Sequence, residues 1–418
     1  MESDQAEAAR YFPLLWFGQG ASKFGTAITT VVMPLAAITV LNTGTFLVTV
    51  IEASVWLPWL LIGLPAGVWV DRLPRRRTML VCDLISAFTL ATVPLAAWAG
   101  LLTIAHLIAV ALLLGTVAVF FSTASQAFLP NIVPKDRLPG ANAKLQGTEA
   151  GAQILGPAAG GLVAQLFGAV TGLLIDAATF LISALCLRGI RAEEHHLFAR
   201  EKRETTFRAE IATGLRFVLG DPYLRVFTVH AGASNLAASA LQAILIVFLV
   251  RTVGLSQGVV GVVVGAAGVG GVFGALVVTR LADRVGSART ILLLELCATP
   301  LALLIPLTTP GLGLLYLMVG GLTVSVAIVA SNVLIGSFTQ SYCPPQLLGR
   351  VSASLHFVNF STLPLGALMG GLLAELTGLR TTMWVVTSLA VASSFILLAG
   401  PIRKDRSLPA RTALDAVS

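Results

Sequence analysis

The sequence predicts an all-α integral membrane protein of twelve transmembrane helices arranged as two six-helix halves. Three observations carry that prediction. Of 418 residues, 56% are hydrophobic and only 11% are charged, with a mean hydropathy of +0.88, a composition that excludes a soluble domain of this length. Apolar stretches of about 20 residues, the length that crosses roughly 30 Å of hydrocarbon, occur twelve times. Finally, a charged pattern at Asp71 returns at Asp283, close to half the chain length away, and such a period marks a duplicated fold.

In chain order the spans are expected at 12–40, 46–70, 78–100, 104–125, 142–168 and 170–188, then at 226–251, 258–282, 288–308, 311–336, 348–376 and 380–402. The first half is residues 1–188, a linker covers 189–225, the second half is 226–402, and a tail covers 403–418. The linker is rich in Arg, Lys and Glu and is expected to be solvated, with an amphipathic helix around Phe207 to Leu219 lying on the inner leaflet. Its Glu193-Glu194-His195-His196 run is the alternative, a metal site.

Loop charge sets the orientation, because Lys and Arg are retained on the cytoplasmic side. With the N-terminus inside, Arg72 to Arg77, Lys135, Arg137, Arg284, Arg289, Arg350, Arg403 and Lys404 are cytoplasmic, and only Arg251 and Arg380 fall outside. Both termini are therefore expected in the cytoplasm of a plasma or inner membrane. The same loops account for the net charge of +7 without a nucleic-acid partner. No cationic segment or cleavage site precedes the first span, so a removed signal peptide is not expected. Cys82, Cys186, Cys297 and Cys343 lie at unrelated spacings, which argues for packing residues rather than a disulfide or metal framework.

The repeat extends beyond one acid. Asp71, Arg72, Arg77, Thr78 and Asp83 fall in register with Asp283, Arg284, Arg289, Thr290 and Glu295. A second block, Phe128, Pro134, Gly156-Pro157, Gly160-Gly161 and Gly168, is answered at an offset of 210 by Phe338, Pro344, Pro364-Leu365-Gly366, Gly370-Gly371 and Gly378. Twelve spans in two halves, a long middle loop and Gly67-x-x-x-Asp71-Arg72-x-x-Arg75-Arg76-Arg77 resemble the major facilitator superfamily of secondary transporters. The family's loop motif reads approximately G-x-L-a-D-R-x-G-R-R. Here Trp69 and Pro74 depart from it in the first copy, and Thr279 departs in the second, which keeps Gly286. The second block resembles the enterobactin-exporter and macrolide-efflux branch. Gly151, Gly156-Pro157 and Gly160-Gly161 resemble the fifth-span motif of antiporters, with one extra residue between Gly151 and Gly156.

That resemblance implies the major facilitator fold and alternating access driven by a proton gradient, with no bound cofactor. Asp71, Arg72, Arg75, Arg76, Arg77, Asp83, Asp283, Arg284, Arg289 and Glu295, with Gly67, are then candidate gate residues. Asp71 and Asp283 sit where helix N-termini favour anions, and the arginines would pair with acids such as Asp83 or Asp136. The competing reading is that these arginines only set topology. Gly151, Gly156, Pro157, Gly160, Gly161, Pro364, Gly366, Gly370 and Gly371 allow close backbone approach and local bending. They are expected to pack the fifth and eleventh spans across the interface between halves, or else to be ordinary small-residue packing.

Ionisable groups at membrane depth are costly and usually functional. Lys23, Glu52, Glu149 and Asp176 are candidates for the proton-responsive group or the substrate's charge partner, a structural ion pair being the alternative for each. Lys23 aligns with Asn235 at the 212 offset. Asp83 and Glu295 are expected nearer the inner surface. Gln19, Ser22, Asn235, Gln242, Asn332 and Asn359 are uncharged candidates for orienting a substrate, or for joining helices. Trp56 and Trp59 line the cavity or anchor packing. Family relatives carry an acid in the first span where this chain has Thr26, which leaves the proton carrier unassigned.

The expected function is export of a small amphipathic or lipophilic molecule, a drug, macrolide, siderophore or secondary metabolite, by proton antiport. An importer of the same fold is the nearest alternative, and a non-transporting sensor or assembly protein is the next. No phosphate-binding G-x-x-x-x-G-K-[ST] loop is present, and no nucleophile–base or metal-ligand spacing points to an enzyme; His106, His230 and His356 are expected to be packing groups. The partners expected are a small-molecule substrate and membrane lipid, the protein being a monomer.

Overall fold

A computed structural model describes residues 11–70, 72–134, 136–190 and 215–409. Among these residues there is no strand, and twelve helices are long and apolar enough to cross a membrane. In the first half these are α1 (Phe12–Thr39), α2 (Thr45–Val70), α3 (Arg75–Trp98), α4 (Ile104–Ile132), α5 (Leu138–Phe167) and α6 (Ala169–Gly189). In the second they are α7 (Pro222–Val247, continued by a π turn to Thr252), α8 (Gln257–Val285), α9 (Ser287–Cys297, continued as 3₁₀ helix from Thr299 to Leu307), α10 (Leu314–Tyr342), α11 (Pro345–Thr377) and α12 (Leu379–Phe395). Residues 215–220 are also helical. The remainder of the helix expected around Phe207, and the Glu193 to His196 run, lie outside the described residues.

Local chemistry sets the helix ends. Thr103 accepts from the backbone N–H of His106 at the start of α4, and Asp221 accepts from those of Tyr223 and Leu224 at the start of α7, before Pro222 in the first turn. α5 and α11 both stop at a glycine with positive φ, Gly168 at 87° and Gly378 at 86°, a left-handed conformation that side chains rarely adopt. These two glycines are the 210-offset pair.

Several helices exceed the expected spans, α5 starting at Leu138 instead of 142 and α7 at Pro222 instead of 226. α4 runs to Ile132 instead of 125, and α10 to Tyr342 instead of 336, because each continues until an X-Pro step, Val133-Pro134 and Cys343-Pro344, disfavours further helix. At 29 residues each they are about 43 Å long, so their last turns extend beyond the hydrocarbon. α3 begins at Arg75 rather than 78, which places the three arginines in its first turn. Cations there oppose the helix dipole. Two of them reach carbonyls of neighbouring helices: Arg75 Nη1 donates to the Ala127 carbonyl at 2.8 Å, and Arg76 Nη1 donates to that of Ile190, just past the C-terminal end of α6.

In the first half α1 packs on α5 and α6, α2 on α4, and α3 on α4 and α6; in the second, α7 packs on α11 and α12, and α9 on α10 and α12. The helix ends around the 71–74 loop enclose one apolar cluster, with Leu15, Met79, Phe128, Ala141 and Leu187. The helix ends around Gly286 enclose another, with Phe227, Ile291, Phe338, Val351 and Leu397. Each residue of the first set corresponds to one of the second at an offset of 212 or 210. Each fully buried large side chain there contributes roughly 2 kcal/mol where the helix ends leave the membrane. The structure divides into two compact units, Met1–Arg200 with Leu249–Gly265, and Glu201–Phe248 with Ala266–Ser418.

Candidate functional site

Two polar stripes run along the first unit at helical spacing. On α1 the exposed residues Trp16, Lys23, Thr26 and Thr30 follow one another at steps of three, four or seven, and on α5 Asn142, Gln146, Glu149 and Gln153 do so on the accessible face. Faces of this polarity are not stable against acyl chains. The stripes meet in an ion pair: Lys23 Nζ lies 2.7 Å from Glu149 Oε1, with side chains 49% and 34% exposed. Two turns earlier on α1, Trp16 Nε1 donates to Thr148 Oγ1 at 2.8 Å, and the Lys144 ammonium stands 5.9 and 5.8 Å from the Phe12 and Trp16 ring centres, within cation–π range. Gln19 Nε2 donates to Ser125 Oγ of α4 at 2.6 Å, joining a third helix to the group.

The second unit repeats this pair without charge. Asn235 on α7 donates to Asn359 on α11 at 3.1 Å, and these residues correspond to Lys23 at 212 and to Glu149 at 210. Of the uncharged candidates, Ser22 is buried, while Gln242 and Asn332 are exposed.

The remaining embedded acids occupy different settings. Asp176 on α6 is buried, with Oδ2 accepting from Thr29 at 2.5 Å and Oδ1 from Thr179 at 3.2 Å. Gly25 on α1 makes room for it, since a Cβ there would collide with Oδ1 and with the Thr179 hydroxyl. Glu52 accepts weakly from Trp56 Nε1, at 3.4 Å and four residues along α2.

Asp83 and Glu295, expected nearer the inner surface, are both enclosed by protein. Both are the ninth residue of their helices, about 12 Å along the axis from the first, and are 1% and 3% exposed. Asp83 makes none of the expected pairs with the loop arginines: neither carboxylate oxygen has a hydrogen-bond partner among the described residues. Asp136 lies 4.0 Å from exposed Arg137. Glu295 is the centre of a network that sequence reasoning missed. It accepts from Ser331 at 2.8 Å, from Thr299 and Ser394 at 3.1 Å each, and stands 3.6 Å from His230 Nε2, whose Nδ1 contacts the Ser393 carbonyl at 2.9 Å. His230 is thus a polar partner, joining α7 to α9 and α12.

Among the gate candidates, Asp71 lies outside the described residues, as does Lys135. Arg72, Arg77, Asp283, Arg284 and Arg289 are exposed. The second loop is covered by the chain end: the Arg406 carbonyl accepts from the Arg289 N–H at 3.3 Å, the Arg406 guanidinium donates to the Arg284 carbonyl at 3.2 Å, and the Leu408 N–H donates to Ser287 Oγ at 2.9 Å. Gly286, at φ 102°, leaves no room for a Cβ beneath the Arg406 carbonyl.

The glycine motifs act mainly inside each half, not across halves as expected. Gly156 and Gly160 of α5 face Ala27 and Ile28 of α1; Gly366 and Gly370 of α11 face Leu236 and Ala240 of α7. Gly161 differs, meeting the backbone of Gln257 and Gly261 at the start of α8, while Gly261 in turn faces the Pro157 carbonyl. A Cβ at Gly67 or Gly151 would meet nothing within 4 Å. Pro364 is buried beside Leu363, whose carbonyl accepts from Ser239 at 2.6 Å. Of the cysteines, all free, Cys82 and Cys343 are buried but Cys297 is exposed, so packing does not explain that one.

A sequence model of the Major Facilitator Superfamily matches residues 15–367. The chain is 28% identical over 384 residues to "Multidrug efflux pump Tap" of Mycobacterium tuberculosis, covering 88% of each chain, and 25% identical over 335 residues to "Multi-drug resistance efflux pump PmrA" of Streptococcus pneumoniae, covering 78% and 79%. Among solved structures, the nucleoside transporter NupG superposes with a TM-score of 0.75 at 12% identity, over 94% of this chain and 99% of that one. A bacterial homologue of the iron transporter ferroportin, in an inward-facing state, gives 0.73 at 16%, over 93% and 98%.

Proposed function

Because the chain belongs to the Major Facilitator Superfamily and is a multi-pass membrane transporter, we propose that it exports amphipathic or lipophilic molecules in exchange for protons, with the Lys23–Glu149 pair as the substrate's charge partner. The observation that carries this reading is that pair itself: two opposite charges at membrane depth, accessible on polar stripes, at a place where the other unit holds two amides. A half-exposed ion pair is weakly held and can open. A cationic group on a substrate competes with Lys23 for Glu149, and an anionic one competes with Glu149 for Lys23, so one pair serves ligands of either sign. The rings of Trp16 and Phe12 supply apolar surface beside it.

Export is supported by the two relatives whose names describe efflux pumps and which match over most of the chain. The basic loops 71–77 and 284–289 face the cytoplasm in this proposal, as the positive-inside rule requires, with both termini on that side. Alternating access needs an element with two arrangements, and the two loop copies with their helix ends supply it. A susceptibility panel in a pump-deficient bacterium, with and without a protonophore, tests the reading. Resistance to lipophilic cations that the protonophore abolishes is expected; resistance that persists undiminished without a proton gradient excludes antiport, and increased drug accumulation excludes export.

A further inference from the structure

Asp83 and Glu295 occupy matching places in the two halves, yet their surroundings are opposite. Around Glu295 the second half supplies the His230 imidazole and the hydroxyls of Thr299, Ser331 and Ser394. At the 212 offset, His230 becomes Gly18 and Thr299 becomes Ala87; at 210, Ser394 becomes Ala184. Ser331, also at 210, becomes Phe121, so the cation and all three hydroxyl donors are gone. In their place Asp83 is 1% exposed with both oxygens unpartnered, and Ser183 on α6, which corresponds to Ser393, also has a buried hydroxyl with no hydrogen-bond partner. A side chain at Gly18 would meet Cys186 Cβ at 3.0 Å and Ser183 Cα at 3.3 Å, so α1 approaches too closely to admit a cation there.

An ionised carboxylate stripped of donors and cations inside a helix bundle is far costlier than the neutral acid. The neutral acid carries its own donor, and Ser183 Oγ, a neighbour of Asp83 and itself unpartnered, is the acceptor available to it. Metal coordination does not fit, because no group of three potential His, Cys, Asp or Glu ligands occurs among the described residues. Cys82 on its own helix and Cys186 on α6 lie within electrostatic reach of Asp83, and α6 also carries Asp176, seven residues before Ser183 and bonded to Thr29 and Thr179, and Arg188 in its last turn. Arg76, seven residues earlier, is turned to the Ile190 carbonyl. On α4, which also packs on α3, the described titratable residue is His106, near the opposite end and paired with Thr92 at 2.9 Å.

We propose that Asp83 is a proton-binding site of the first half, holding a hydrogen that it donates to Ser183 Oγ, while the homologous Glu295 is kept ionised by His230. The proton comes from water when Asp83 is exposed in one transport state and returns to water in the other. Its part in transport rests on the proton-coupled reading above; its occupancy does not.

Infrared titration of the full-length protein in detergent tests occupancy without any substrate. A carboxylic-acid carbonyl band is expected at neutral pH, reduced by one equivalent in Asp83→Asn with monodispersity kept, since the amide mimics the neutral acid. In Asp83→Glu the band is expected to shift in frequency, which covers the case in which the amide variant misfolds. Spectra of the wild type and of either folded variant that coincide across the titration would overturn the proposal. A protonophore-insensitive exporter that retains the Asp83 band would contradict proton coupling alone.

Discussion

Lys23 of α1 and Glu149 of α5 form a 2.7 Å ion pair at the place where the second half carries an amide–amide hydrogen bond. The duplicated scaffold thus holds one pair position twice, once charged and once neutral. The buried acids show the reverse, with the charge-balanced site in the second half and the isolated carboxyl in the first. The proposed function rests on these departures from symmetry.

Removing either member of the pair separates binding from folding. Lys23→Asn and Glu149→Asn are each expected to lower resistance at least tenfold while shifting stability by about 1 kcal/mol or less, the range for exposed ion pairs. Susceptibility assays and thermal unfolding in detergent check the two halves of that statement. The exchange Lys23→Glu with Glu149→Lys is expected to restore part of the resistance.

The buried network behaves oppositely. His230→Ala leaves Glu295 charged inside four packed helices, and a loss of about 3 kcal/mol is expected. Glu295→Gln keeps the hydroxyl contacts and is expected to lose less, roughly 1 kcal/mol. Comparison of unfolding midpoints of the two variants decides it; equal effects would show that the hydroxyls, not the imidazole, hold the site.

Small residues at the α1–α5 and α7–α11 contacts are required by distance. Gly156→Val and Gly366→Val each drive a branched side chain into the backbone of the facing helix, with an expected cost of about 1–3 kcal/mol, read as reduced folded yield. Gly151→Val, where a Cβ meets nothing within 4 Å, is expected to fold normally.

The two loop copies are unequal. The first is expected to carry most of the gate, so Asp71→Asn should impair export while leaving membrane insertion intact, and Asp283→Asn should impair it less. Drug efflux measured at matched surface expression checks the order, and equal losses would contradict it.

The spans and their repeat were legible in the sequence because hydropathy and glycine placement are local signals. Gly168 and Gly378 end helices by backbone conformation alone, and both fall at the expected joins. Lys23 and Asn235 were also visible as a pair of positions, as was the polar candidate Asn359. Contacts between helices were not: Glu295 finds donors 36 and 99 residues away, and no periodicity encodes which faces meet. The enclosure of Asp83 by protein was not legible for a physical reason. Three arginines suggest a loop, but two of them donate to carbonyls of α4 and the end of α6 from the first turn of α3, and the groups that enclose the acid lie on other helices. The close packing of Gly156 and Gly366 was foreseen, but small residues indicate contact without naming the partner, which proved to be the neighbouring helix of the same half.

Everted membrane vesicles with an imposed acid-inside gradient and ethidium as the probe test the central claim most directly. The wild-type protein is expected to accumulate the dye and to lose it when the gradient is collapsed, and the Lys23→Asn/Glu149→Asn double variant, inserted to the same level, is expected to accumulate none. Dye accumulation that survives collapse of the gradient, or that is undiminished in the double variant, would contradict the account.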